Sequence, residues 1–103
     1  MLGARAALVG MGSALSDLQA DLVRARVAED WTKFVALSEL CDRFGAATFT
    51  EPIEGYIRRM LWAAAAEGAL SAESCDDPWG PGLPASERET VERAVRDARA
   101  TRA

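Results

Sequence analysis

The sequence predicts an all-α domain, and three observations carry that reading. No glycine or proline occurs from Ser13 to Phe44, no stretch alternates long enough to make a strand, and two further segments carry helix start or stop signals. The expected architecture is a long N-terminal helix, or two consecutive helices, packed antiparallel on a second helix. A Pro/Trp loop and a short charged C-terminal helix follow. At 103 residues the chain suits a single domain. Its expected parts are a flexible N-terminus over 1–12, a helix over 13–44 as one piece or broken between 30 and 38, a helix over 51–67, a loop over 71–85 and a helix over 86–101.

The first helical run carries its own boundary signals. Ser16 and Gln19 have capping-box spacing, Asp17 and Asp21 lie near the positive helix end, and Gly45 stands where a helix would stop. Val23, Val27, Phe34, Leu37, Cys41 and Phe44 fall on one heptad-like seam, with Asp30 its polar member. Leu15, Leu18, Leu22 and Ala25 make a second apolar stripe on roughly the opposite side. A helix apolar on two sides must be covered on two sides. Alanine supplies about a fifth of the chain and buries only one methyl each, so the other elements offer thin cover. Self-association through the six seam residues, giving a homo-oligomer, is therefore expected.

In the second helix, Thr50 is the expected N-cap, Pro52 suits the first turn and Gly68 marks the stop. Ile53, Ile57, Met60, Leu61 and Ala64 recur at helical spacing and are read as its core face. At about 100° per residue, Trp62 falls away from that face, beside Gly55, Arg59 and Ala66. Trp62 and Arg59 are thus candidate partner-binding residues. Trp79, set among Pro78, Gly80 and Pro81, is a third, since tryptophan is a favoured interface anchor. The last helix has a capping box at Ser86 and Glu89. Its thin stripe of Val91, Ala94, Val95 and Ala98 is expected to pack lightly or to leave the end mobile.

The absences limit the chemistry. With no histidine there is no default general base near neutral pH and no Ser/His or Cys/His relay. Cys41 and Cys75 alone make no zinc spacing, and no phosphate-binding glycine loop occurs. Asp76 and Asp77, the adjacent acidic pair beside the rigid loop, read as a solvated turn before proline. No cofactor, no metal and no catalytic activity are expected. The start of the chain is too short and too glycine-rich in its apolar run for a membrane span or a secretory signal. A cytoplasmic location with reduced thiols and no membrane partner follows as the expectation. The functional reading is a non-catalytic adaptor, regulator or inhibitor that binds a protein partner whose identity the sequence does not give.

A second reading comes from a different class. Residues 37–45, with Ser38 as N-cap and Gly45 as turn residue, followed by a helix carrying Arg58 and Arg59, resemble the helix-turn-helix of winged-helix DNA-binding regulators. The resemblance covers about a third of the chain. It implies a recognition helix over 53–60. Against it stand a six-residue turn, Glu51 and Glu54 at the helix start, and a net charge of −4, which disfavours a nucleic-acid partner.

Overall fold

The computed structural model describes residues 14–102, and the expectations for 1–12 and for a helix start at Ser13 lie outside them. Four α-helices make up the fold: α1 (Ser16–Val27), α2 (Trp31–Thr48), α3 (Tyr56–Ala66) and α4 (Ala85–Arg102). Short 3₁₀ turns at Ile53–Gly55 and Ala72–Ser74 precede and follow α3. The described residues contain no strand. The all-α expectation holds.

The long first run is two helices, and the break lies at Ala28, Glu29 and Asp30. The Asp30 N–H donates to the Ala25 carbonyl and the Glu29 N–H to that of Arg26, with Glu29 left-handed at φ 59°. This is a Schellman stop built on a residue other than glycine. Asp30 then acts in the opposite sense, its carboxylate accepting the Lys33 N–H at 3.2 Å as the N-cap of α2. The one polar member of the predicted seam is thus the hinge between helices. An unbroken helix over 13–44 would be about 48 Å long, more than the longest dimension of the molecule, 42 Å. Folding it back lets α1 and α2 bury their apolar sides against each other.

Other boundaries also differ from the sequence reading. Leu15, not Ser16, is the N-cap of α1; it is left-handed, and its N–H donates to Glu67 Oε1 at 2.6 Å. Gln19 donates through Nε2 to the Ala14 carbonyl rather than closing a capping box with Ser16. Gly45 does not stop α2, because Ala46, Ala47 and Thr48 continue the hydrogen-bonded spiral and Phe49 ends it with a bond back to the Gly45 carbonyl. Thr50 caps no helix, since the chain first makes the 3₁₀ turn, and α4 begins at Ala85 rather than Ser86. Gly68 stops α3 as expected. At φ 85° it lets Ala69 N–H reach the Ala64 carbonyl and its own N–H reach that of Ala65.

Contacts run in the order α1, α2, α4, α3, so α4 lies between α2 and α3. The Leu15–Glu67 hydrogen bond ties the start of α1 to the end of α3. One core joins Leu15, Leu18 and Ala25 of the first segment to Leu37, Leu40 and Phe44, to Met60, Trp62 and Ala63, and to Val91, Val95 and Ala98. Of the thin stripe of α4, Val91, Val95 and Ala98 are buried and Ala94 half-buried, so the helix is not lightly packed. Its small side chains let two neighbouring helices approach closely, so little apolar mass fills the space. Cys41 and Cys75 are both free thiols.

Candidate functional site

The residues that shape α3 divide differently from the sequence reading: of the expected core face Met60 and Ala64 are buried and Leu61 is half-buried, but Ile53 and Ile57 are not, and two residues expected outside are inside. Arg59 is 0% exposed and Trp62 6% exposed; both point into the molecule with Gly55 and Ala63. Ile53 and Ile57, expected in the core, are 46% and 47% exposed. After Leu61 the helix is apolar nearly all round, so periodicity alone could not choose a face. The choice follows from the polar partners that the rest of the chain supplies to Arg59.

Arg59 donates Nε to Glu87 Oε1 at 2.9 Å and Nη1 to the carbonyls of Thr50 at 2.9 Å and Pro52 at 3.0 Å. Longer bonds reach the carbonyls of Thr48 and Glu51. A guanidinium can be buried when its forked donors and its charge are all met, and here a connecting loop and α4 meet them. Arg58 does comparable work on the other side. It donates to the Asp77 carbonyl at 2.8 Å and the Pro81 carbonyl at 3.2 Å, with the Asp76 carboxylate 3.6 Å away. The two adjacent arginines thus pin the loops on either side of α3. Neither has a free fork to offer a phosphate.

The outer face of α3 forms an apolar concavity. Tyr56, Ile57, Met60, Leu61, Ala64 and Leu70 line a groove of about 450 Å³. The reversal at Gly68 brings Leu70 round to close one end. Exposed Phe49 stacks on the lining residue Tyr56 with ring centroids 5.1 Å apart, and Ile53, in the 3₁₀ turn before α3, is exposed as well. Phe49, Tyr56 and Leu70 went unrecognised in the sequence. The usable signal was the all-round apolar character of α3, which guarantees that some apolar side remains outside.

Trp79 is 94% exposed, at the tip of a loop held rigidly beneath it. Its N–H donates to Asp77 Oδ1 at 3.1 Å, and Asp77 is buried rather than part of a solvated turn. Gly80 sits so tightly that a Cβ there would collide with the Asp77 carboxylate and stand 3.2 Å from the Glu54 carbonyl. The loop therefore abuts the edge of the outer α3 face, beside Glu54.

The predicted self-association seam is dispersed. Leu37 and Phe44 are buried in the protein's own core, Val23, Phe34 and Cys41 are half-buried, and Val27 is exposed. The break at residues 28–30 puts its two halves on different helices. What remains outside is the hairpin tip, where Val27, Trp31 and Val35 are exposed, Arg26 lies 5.5 Å over the Trp31 ring and Phe34 meets that ring edge-on.

A smaller groove of about 260 Å³ lies between α2 and α4, lined by Leu40, Ala47, Ala94 and Ala98, with Arg43 and Arg93 at its walls. Among the described residues no three cysteine or carboxylate side chains group as metal ligands, and no helix is long and apolar enough to cross a membrane. Compared with protein-family models, curated proteins and solved structures, the chain matches none.

Proposed function

We propose that the protein is a non-catalytic protein-binding module, an adaptor, regulator or inhibitor, that docks a partner's helix along the outer face of α3. The observation that carries this reading is the apolar groove lined by Tyr56, Ile57, Leu61 and Leu70, with Ile57 half-exposed on a helix whose inner face is already filled. Exposed apolar concavities of this kind are the surface that a partner's amphipathic helix covers. Trp79, presented on a rigid loop at the edge of the same face, is the natural anchor beside it. Arg59 and Trp62 act indirectly, by holding α3 so that this face points outward.

Self-association has a narrower basis than the sequence suggested, the tip formed by Val27, Trp31 and Val35. The helix-turn-helix alternative has less to support it. Ser38 and Gly45 lie inside the continuous helix α2, and the arginines meant for phosphates are engaged within the protein.

The test is affinity capture from the native source with wild-type protein, Ile57→Glu and Trp79→Ala as parallel baits. A partner retained by wild type and lost with Ile57→Glu supports the reading. Retention of that partner by Ile57→Glu at the wild-type level overturns it.

A further inference from the structure

We propose that the occupant of the α3 groove is an amphipathic helix of another protein with basic residues flanking its apolar stripe. This rests on the docking reading above and adds the chemistry of the partner. The argument is the charge around the groove. Glu54 lies in the 3₁₀ turn that leads into α3 and Glu51 just before it, both exposed; past the helix, half-buried Glu67 is its C-cap and accepts the Leu15 N–H, and exposed Glu73 follows Leu70. The nearest cation of α3, Arg58, is spent on Asp76 and on the carbonyls of Asp77 and Pro81. The groove is therefore apolar on its floor, and the helix that forms it is flanked by carboxylates before its start and after its end.

That pattern selects against a second copy of the chain. In an antiparallel pairing of two α3 faces, Glu51 and Glu54 of one copy meet the Glu67 and Glu73 end of the other. In a parallel pairing each end meets its like. Either way carboxylates face carboxylates, and like charges across an interface suppress association. The arginine-rich helix α4, whose charges nearly balance, cannot serve as a heterologous occupant because Val91, Val95 and Ala98 are buried in its own core. The exposed hairpin tip is of mixed charge, with Glu29 and Asp30 beside Lys33. A foreign helix with apolar residues at i, i+3 or i+4 and i+7, and lysine or arginine at both ends, satisfies the floor and the rim together. Residues 53–66 span roughly 20 Å at helical rise, which is about four turns of such a partner.

The test uses two synthetic 15-residue amphipathic peptides with the same leucine stripe, one flanked by lysine and one by glutamate. Each is titrated into the full-length protein at low salt, with amide NMR shifts as the readout. The lysine-flanked peptide is expected to bind at least tenfold more tightly, shifting residues 53–70. The preference should shrink in salt and reverse in Glu54→Lys/Glu73→Lys, whose sites are exposed and whose fold is checked by circular dichroism. Ile57→Glu should weaken both peptides. Equal affinity for the two, still lost with Ile57→Glu, overturns the basic-partner inference and leaves the docking reading intact. Failure of both peptides to bind, or shifts that ignore Ile57→Glu, overturns both. A concentration-dependent dimer abolished by Ile57→Glu overturns the inference in favour of a second copy.

Discussion

Arg59 Nε lies 2.9 Å from Glu87 Oε1, joining α3 to α4 from a position where the arginine side chain has no contact with solvent. The same guanidinium gathers the carbonyls of residues 48, 50, 51 and 52, so one side chain orients α3, seats α4 and closes the connection from α2. The outward direction of Ile53 and Ile57 is a consequence of that inward direction of Arg59.

Removing the arginine should be severe. Arg59→Ala leaves a carboxylate and several carbonyls without their donor, and breaking a buried pair in this way costs about 3–5 kcal/mol. In a domain whose total stability is roughly 5–15 kcal/mol, urea unfolding should show the midpoint lowered by a large fraction of its wild-type value. Arg59→Lys should recover little, since a lysine ammonium cannot reproduce the planar fork. Glu87→Gln keeps an acceptor and should be milder than either.

The two tryptophans on and beside α3 should behave oppositely. Trp62→Ala empties a core position and should cost about 3–5 kcal/mol. Trp79→Ala alters an exposed loop tip and should stay within about 0.5 kcal/mol of wild type. In quenching by acrylamide, Trp79 and the half-exposed Trp31 should supply the accessible fraction of the emission, and the Trp79→Ala protein should be less quenched than wild type.

Two left-handed residues stand in equivalent helix stops with different chemistry. Glu29 at φ 59° carries a Cβ that this conformation disfavours, so Glu29→Gly should stabilise the domain by about 0.5–1 kcal/mol. Gly68 at φ 85° has open space around its Cα, so Gly68→Ala is opposed by the backbone alone and should cost about 1 kcal/mol. Thermal unfolding should show melting temperatures moving in opposite directions. Asp30→Ala, removing the cap of α2, should cost about 1 kcal/mol.

The outer face should tolerate charge. Ile57→Glu places a carboxylate on a half-exposed position and should lower stability by less than about 1 kcal/mol, in contrast to a core substitution. Far-UV circular dichroism and urea midpoints of Ile57→Glu and Trp62→Ala, measured side by side, check this directly. An Ile57→Glu loss comparable to that of Trp62→Ala would place the isoleucine in the core.

Local information in the chain was enough for the helices themselves. Thirty-two residues without glycine or proline had to be helical or nearly so, Gly68 had the left-handed freedom that a stop requires, and three prolines between residues 78 and 84 could not continue a helix. The break at Asp30 was half legible. Its polarity on an apolar seam was visible, but its pairing with a left-handed Glu29 depends on α1 and α2 folding back on each other. Gly45 misled because a glycine at negative φ continues a helix, and nothing local announces which φ it takes.

The candidate site was the least legible part. By itself the sequence determined that the protein is helical and that α3 is apolar on more sides than one neighbour can cover. Only the tertiary structure decided which side faces out. That decision rests on Glu87, 28 residues further along the chain, and on carbonyls of a loop that precedes the helix. A buried charge is tolerated only where distant groups converge on it, so the arginine turns inward and the isoleucines are left for a partner.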